Sequence, residues 1–112
     1  MTMFVLFGVN APEAQTVDDA AILVTKLINV APVKRVGDSS GHYCTFESAS
    51  RERIKLVQGT YTDESGDYPA EQEFPEWKYL AYLDYTIESS AWLQALDGAS
   101  EMFSKLRSKI VE

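Results

Sequence analysis

The most reactive side chains in this sequence are its single histidine and its single cysteine, His42 and Cys44. A histidine next to a cysteine can accept the thiol proton, and the thiolate is then a nucleophile. Residues two apart on a strand point to the same face, so the two side chains can approach each other. They cannot easily face each other across a substrate, and no glycine motif for an oxyanion hole flanks them. We therefore expect Cys44 to be a buried or half-buried structural residue, because free cysteine usually packs as a small hydrophobe.

Motifs for metal, phosphate and glycoside chemistry are missing or incomplete. A zinc site needs three or four Cys, His or carboxylate ligands. Residues 63–67 resemble a calcium loop superficially, but they lack its alternating acids and its closing glutamate. The six glycines are scattered and form no phosphate-binding loop. Glu71, Glu73 and Glu76 could supply paired carboxylates, but a chain of 112 residues offers no obvious deep cleft for them. We therefore predict that the protein is not an enzyme and uses no cofactor and no metal.

The pattern that stands out mixes aromatic side chains with acids over residues 61–77. Hot spots of protein interfaces favour Tyr and Trp, and acids around them can pair with a partner's Lys or Arg. In the alternative interpretation, Phe74 and Trp77 simply hold a solvated acidic loop against the core, and we favour a core position for Trp77. Tyr68, next to Gly66 and Pro69, is expected to be exposed. The predicted partner-binding residues are Tyr61, Asp63, Glu64, Asp67, Tyr68, Glu71, Glu73 and Glu76.

The charge of the chain is acidic and unevenly distributed. Seventeen acids against ten bases give a net charge of −7. Residues 56–104 carry ten of the acids and a single base, Lys78. This balance argues against nucleic acid and against an anionic membrane as partners, because both require Lys and Arg to neutralise phosphates. A clustered negative field can instead attract a basic partner and accelerate its association.

Length and cysteine content place the chain in a broad class. With 112 residues and 46% hydrophobic residues, it is expected to form a single domain with its own core. A lone cysteine cannot form an internal disulfide, so we expect a reduced, cytoplasmic protein. The apolar run over residues 3–9 is too short for a signal peptide or a membrane span.

The first half of the sequence predicts a buried strand, a helix and two further strands. Residues 3–9 contain no polar side chain, so we expect a strand buried on both faces in the middle of a sheet. Thr16 followed by Asp18 and Asp19 is typical of a capped helix start, and apolar residues then recur every three or four positions until Asn29. Residues 33–36 and 42–47 predict two strands joined by a tight reversal over residues 37–41.

The second half predicts two more strands, a long loop and a terminal helix. Residues 51–62 are rich in β-formers, and Arg51, Arg53 and Lys55 indicate a solvent face or a charged edge. Residues 63–75 show no periodicity and predict an irregular loop, whereas residues 77–85 predict a strand inside the sheet. An apolar stripe from Ile87 to Ile110 has helical spacing, and Gly98 either divides or weakens that helix. The order β-α-β-β-β-β-α predicts an α+β two-layer sandwich with a mostly antiparallel sheet of about five strands, covered on one face by helices.

A small, acidic, cytosolic α+β domain with an aromatic and acidic patch resembles the immunity proteins of bacterial toxin systems, including those paired with contact-dependent growth inhibition toxins. The resemblance concerns the overall character of the whole chain, involves no diagnostic motif and assigns no individual residue. It implies a toxin inhibitor whose partner is a cognate, basic protein toxin, in many cases a nuclease. Carboxylates of the inhibitor would then occupy the toxin's phosphate-binding cleft.

The rival hypothesis is a small-molecule or peptide-binding module that uses the uncovered face of the sheet, as a homodimer. It predicts a concave apolar pocket and self-association. Exposed rows such as Tyr79, Ala81 and Leu83, or Leu80 and Tyr82, would favour it.

Overall fold

The computed structural model describes residues 1–37, 41–86 and 89–112, and in these residues two helices and eight strands occur. The reversal predicted over residues 37–41 and the predicted helix start at Ile87 fall largely outside the described residues. The elements, in chain order, are β1 (Thr2–Val9), α1 (Val17–Ile28), β2 (Val33–Gly37), β3 (Gly41–Glu47), β4 (Glu52–Gln58), β5 (Thr60–Asp63), β6 (Gly66–Pro69), β7 (Tyr79–Tyr85), α2 (Ala91–Gly98) and β8 (Phe103–Val111).

Six of the strands form one antiparallel sheet in the order β2-β3-β4-β7-β1-β8. Strand β1 lies between β7 and β8, so the unit β7-α2-β8 is a split β-α-β motif. Both helices contribute to a core on one face of this sheet. The predicted α+β two-layer fold with an antiparallel sheet is confirmed, with six strands in the sheet where the sequence predicted about five.

The main core lies between the helices and one face of the sheet. Alternation along the strands places one side chain in two on this face, as for Phe7 on β1, Phe46 on β3 and Leu83 on β7. Helix α1 contributes Ala20 and Val24, which are fully buried. The small alanine lets the helix approach the sheet closely.

The limits of α1 follow from its capping residues. The Thr16 hydroxyl accepts a hydrogen bond from the Asp19 amide at 3.2 Å, and the Asp19 carboxylate accepts one from the Thr16 amide at 3.3 Å. This reciprocal pair is a capping box, which fixes the helix start that the sequence predicted. The helix ends at Asn29, which adopts the left-handed conformation with φ 57°.

A buried carboxylate fixes the start of α2. Glu52 on β4 is only 4% exposed and accepts a hydrogen bond from the Trp92 amide at 2.9 Å. It also accepts one from the hydroxyl of Ser90, the capping residue of the helix. The carboxylate therefore satisfies donors at the positive end of the helix, where a negative charge is stabilised.

The predicted helix over the C-terminal residues is wrong beyond Gly98. Helix α2 ends there, and the chain continues as β8, which pairs along the full length of β1. The spacing of Met102, Leu106 and Ile110 fits a helix, but these residues also belong to a run that alternates with Lys105, Arg107 and Lys109. These residues form a strand because they pair with β1, and the local spacing of apolar residues cannot reveal pairing with a distant segment.

Two further predictions need correction in the middle of the chain. The run over residues 51–62 is divided at Gly59 into β4 and β5, and residues 63–75 are not irregular throughout, because Gly66–Pro69 forms β6 and pairs with β5. Strand β4 lies inside the sheet, so Arg53 and Lys55 mark a solvent face and not an edge.

Strand β1 is an interior strand, but it is not buried on both faces along its whole length. Residues 5–9 are buried, as predicted. Phe4, on the face opposite the helices, is 43% exposed. In the described part of the chain, both helices pack on the other face of the sheet.

Candidate functional site

The predicted binding segment contains a two-stranded hairpin that is separate from the main sheet. We call residues 60–69, which comprise β5, its turn and β6, the acidic arm. Most of its residues are exposed, and among the strands that the structure describes β5 and β6 pair only with each other. Asp63, Glu64 and Asp67 are all exposed on the arm, which contains no base. The arm therefore presents three carboxylates on a structure that contributes little to the core.

Side-chain contacts hold the arm in one shape. The rings of Tyr61 and Tyr68 stack with their centroids 5.7 Å apart and their planes at 29°, an arrangement that favours aromatic pairs. Near the turn, the Thr62 hydroxyl donates to Asp67 Oδ1 at 2.6 Å, and Asp63 Oδ1 accepts from the Ser65 amide at 2.7 Å. The acids are thus presented on an organised surface.

The arm begins and ends at a tight junction with the domain. The Ala70 amide donates to the Gly59 carbonyl at 2.8 Å, and the Gly59 amide donates to the Lys78 carbonyl at 2.7 Å. A Cβ atom on Gly59 would lie 1.7 Å from the Trp77 carbonyl oxygen. Only glycine permits this close approach, which ties both ends of the arm to the chain entering β7.

The structure brings together five of the eight predicted partner-binding residues and places the other three elsewhere. Tyr61, Asp63, Glu64, Asp67 and Tyr68 share the arm. Glu73 and Glu76 are exposed on the connection between β6 and β7.

Glu71 is engaged with the sheet. Its Oε1 accepts hydrogen bonds from the Tyr82 hydroxyl at 2.7 Å and from Arg107 Nη2 at 3.2 Å. Burial and this hydrogen bond raise the pKa of the Tyr82 phenol, and the bond to Glu71 raises the pKa of the Arg107 guanidinium. Glu71 therefore fastens the connection to the sheet and is less available to a partner.

Phe74 and Trp77 pack on the face of the sheet that the helices leave free. There they cover a second, small cluster with Leu6, Val57 and Leu80 at its centre. A Cβ atom on Gly8 would lie 2.3 Å from the Trp77 ring, so the glycine provides the space for the indole. This position agrees with the prediction that Trp77 belongs to the core, although it is the minor core that the residue joins.

Cys44 is buried on the helix side of the sheet and is 0% exposed. Its thiol donates to Asp18 Oδ1 on α1 at 3.6 Å. Burial and then the negative charge of Asp18 raise the pKa of the thiol to about 11. His42 is exposed, in contrast to its neighbour. The thiol is thus protonated at neutral pH and screened from solvent, as expected of a structural cysteine.

A basic surface that the sequence did not predict lies on the side of the main sheet opposite α1 and α2, which we call the open sheet face. One row of paired residues across it reads Lys109, Phe4, Asp84, Arg53 and Glu47, from β8 to β3. The next row reads Arg107, Leu6, Tyr82, Lys55 and Thr45. The available signal was the alternation of basic residues on two strands, Arg53 and Lys55 on β4 and Arg107 and Lys109 on β8. The helix predicted over the C-terminal residues conceals this alternation on β8.

Two connected hollows lie on the open sheet face. One of about 620 Å³ extends over β3, β4 and β7, and one of about 390 Å³ extends over β1 and β8. Phe4 and Tyr82 line both hollows, so they form the boundary between them. The connection after β6 reaches the first hollow at Ala70. The free part of the face is therefore a shallow trough.

The described residues bring together no group of three or more His, Cys, Asp or Glu side chains that could hold a metal ion. Neither of the helices in the described part of the chain is long and apolar enough to cross a membrane. Comparison with protein-family models, with curated proteins and with solved structures found no match for this chain.

Proposed function

We propose that the protein is a non-enzymatic binding domain that uses the acidic arm to bind and neutralise a basic protein partner. The observation that carries this proposal is the arm itself. It is an exposed hairpin, ordered by a tyrosine pair, that presents Asp63, Glu64 and Asp67 outside the packed domain. A structure with so few core contacts contributes little to folding, which favours a role in recognition.

The arrangement combines the two contributions that a tight protein complex uses. The three carboxylates attract a basic partner from a distance and raise the rate of association. The stacked rings of Tyr61 and Tyr68 are large, rigid contact surfaces that lose little conformational freedom on binding, and they slow dissociation. Exposed Glu73 and Glu76 extend the negative field next to the arm.

The immunity function is the form of this proposal that fits the chain best. A nuclease toxin has a basic cleft shaped for phosphates, and carboxylates of a narrow projecting hairpin can enter such a cleft in their place. In this form, the partner is a cognate toxin of the same bacterial source. The arm blocks its nucleic-acid site and carries out no chemistry itself.

Charge reversal of the arm tests the binding surface. Tagged wild type and the triple variant Asp63→Lys, Glu64→Lys and Asp67→Lys are used to capture proteins from a lysate of the source organism. We expect a basic protein to be retained by the wild type and lost by the variant. With that purified partner, the variant should associate at least about tenfold more slowly and show a flatter salt dependence.

A second triple variant controls for total charge. Glu13→Lys, Glu101→Lys and Glu112→Lys change the net charge equally, but these exposed residues lie outside the arm. The control should keep the partner. Equal retention by the arm variant and the wild type would show that another surface binds.

The inhibitory role has its own test. The captured protein is expressed alone and together with this chain, and growth and nucleic-acid integrity are measured. The immunity form is supported if the captured protein alone arrests growth, and if co-expression of this chain restores growth and keeps the nucleic acid intact. A partner that is harmless when expressed alone would leave the arm as a binding surface but refute toxin neutralisation.

A further inference from the structure

The open sheet face has a charge opposite to that of the chain as a whole. Five of the ten bases, Arg35, Arg53, Lys55, Arg107 and Lys109, lie on β2, β4 and β8 and project from this face or its margins. The acids that meet them are Glu47, Asp84, Glu71 and Glu73, the last of which acts on Arg107. The face is therefore net positive on a chain of net charge −7, and the remaining surface is correspondingly more acidic.

Three of these cations are free to bind an anion. Arg53 pairs with Asp84 at 3.2 Å, and Arg107 pairs with Glu71 at 3.2 Å. Within the described residues, Arg35, Lys55 and Lys109 form no ion pair, although the Arg35 guanidinium approaches the Thr45 hydroxyl at 3.5 Å. Lys55 and Lys109 lie on strands three positions apart in the sheet, a separation of about 14 Å at normal strand spacing.

Aromatic rings lie between the cations. Phe4 on β1, the strand next to the edge strand β8, is 43% exposed, which is unusual for a phenylalanine on an interior strand. Tyr82 lies on β7 diagonally across from Phe4, whose direct partner there is Asp84. The Tyr82 hydroxyl donates to Glu71 at 2.7 Å. Tyr43 lies beneath the Lys55 ammonium, which is 4.8 Å from the ring centroid. These rings offer flat surfaces that are held in place by the sheet.

We propose that the open sheet face binds single-stranded nucleic acid, with nucleobases stacked on Phe4 and Tyr82 and phosphates neutralised by Arg35, Lys55 and Lys109. Proteins that bind single strands combine a positive groove for the backbone with aromatic side chains for the bases, and a sheet face can supply both. The trough crosses six strands, which corresponds to about 24 Å. That length suits an extended strand of several nucleotides.

The same face suits an acidic polypeptide less well. Peptides that bind to sheets gain most of their affinity from backbone hydrogen bonds at a sheet edge. Over the middle of the sheet, the strand backbones are already paired with each other, so a peptide would find only side chains there. Nucleobases need no backbone hydrogen bond from the protein, because each can stack on an aromatic ring. The overall charge of −7 argues against nucleic acid as a partner of the chain as a whole, and it weakens binding of any polyanion. The contacts between phosphates and the Lys and Arg side chains of the open sheet face release counterions, so we expect the interaction at this face to be strongest at low salt.

Fluorescence anisotropy with labelled octauridylate and octathymidylate tests the proposal, with labelled octaglutamate as the acidic peptide. At about 20 mM salt we expect saturable binding of both oligonucleotides and much weaker binding of octaglutamate. The slope of log affinity against log salt should be close to about −2, since each neutralised phosphate of a single strand contributes about −0.7. Failure of the oligonucleotides to bind at low salt, or equal binding of octaglutamate, would overturn the proposal.

Two variants locate the site. Phe4→Leu keeps an apolar side chain but removes the ring, and it should weaken oligonucleotide binding roughly 5- to 100-fold. Lys55→Glu with Lys109→Glu should abolish binding. The control pair Lys26→Glu and Lys34→Glu changes the net charge of the protein equally, but both residues lie on the helix side of the sheet. This control should retain most of the affinity for the oligonucleotides. Unchanged affinity of Phe4→Leu, or equal loss in both charge pairs, would refute stacking on this face.

This proposal stands apart from that for the acidic arm. The arm variant Asp63→Lys, Glu64→Lys and Asp67→Lys should bind oligonucleotides at least as well as the wild type, because it removes negative charge and leaves the open sheet face intact. Loss of oligonucleotide binding in the arm variant would contradict the assignment to the open sheet face.

Discussion

Cys44 shows how its surroundings decide what a side chain can do. In sequence, it is the one candidate nucleophile with a histidine close by. In the folded protein, it is buried against α1, and its thiol donates to a carboxylate that would repel the thiolate. Burial and Asp18 therefore favour the protonated form, which is not nucleophilic.

The raised pKa of Cys44 predicts a loss of stability at high pH. The thiol titrates at about 11 in the folded protein, against 9.0 as its ordinary value. Below pH 9 both states hold the proton, so the stabilisation is fully present. Between pH 9 and 11 the unfolded chain releases the proton first, and the free energy of unfolding should fall by roughly 2 kcal/mol.

Urea unfolding of wild type and Cys44→Ala at pH 8, 9, 10 and 11 measures this effect. The alanine variant lacks the thiol, so its decline over the same range should be smaller. Tyr82, whose pKa is also raised, remains in both proteins and is thereby cancelled. Parallel declines in the two proteins would contradict the role assigned to Cys44.

At the scale of elements, the acidic arm is an addition to the domain. Its ends are joined by the hydrogen bond from the Ala70 amide to the Gly59 carbonyl, at 2.8 Å. A two-residue turn could connect Gly59 directly to Ala70, because such a turn would form the same hydrogen bond between the Ala70 amide and the Gly59 carbonyl.

Replacing residues 60–69 by Asn-Gly should therefore leave the domain folded. We expect the free energy of unfolding to change by less than about 1 kcal/mol, since exposed residues contribute little to stability. Urea denaturation followed by circular dichroism measures the change. A loss of several kcal/mol would show that the arm belongs to the folding unit.

Gly59→Ala is the informative comparison for the arm replacement. It alters a single residue, yet its Cβ atom would meet the Trp77 carbonyl oxygen at 1.7 Å, and backbone must shift to admit it. We expect this substitution to cost at least about 2 kcal/mol. Gly59→Ala should thus destabilise the protein more than replacement of the whole arm does.

At the scale of the whole molecule, charge is separated between surfaces. The arm carries acids, whereas the open sheet face and the outer strand β8 carry bases. Lys105, Arg107 and Lys109 alternate along β8, which is an edge of the main sheet. Charged side chains on an edge strand oppose pairing with the edge of another molecule.

Removing these charges should promote edge-to-edge association. Lys105→Thr with Lys109→Thr leaves Arg107 and its bond to Glu71 in place and introduces β-forming residues. At about 100 µM, sedimentation velocity should detect dimers or larger species of this variant, whereas the wild type should remain monomeric.

Lys26→Thr with Lys55→Thr is the matched control for the edge. It lowers the net charge equally, but the residues lie on α1 and on the interior strand β4. It should sediment as the wild type does. Identical behaviour of both double variants would indicate that lysine charges on the edge do not govern association.

The sequence by itself determined those elements whose signals are local. Helix α1 was predictable because Thr16, Asp19 and its apolar spacing act within a few residues. The strands around Phe7 and Leu83 were predictable because continuous apolar runs belong inside a sheet, and the α+β class followed from their order. The exposed, acidic character of residues 63, 64 and 67 was likewise readable from composition.

Only the tertiary structure decided what depends on distant pairing. Residues 103–111 form a strand because β1 offers a free edge, and this preference outweighs the helical spacing of Met102, Leu106 and Ile110. Glu71 is held at the sheet and not on the acidic arm because Arg107, 36 residues away, binds its carboxylate. The basic open sheet face exists because the sheet brings together strands that are far apart in the chain, so a sum of charges along the sequence could not reveal it.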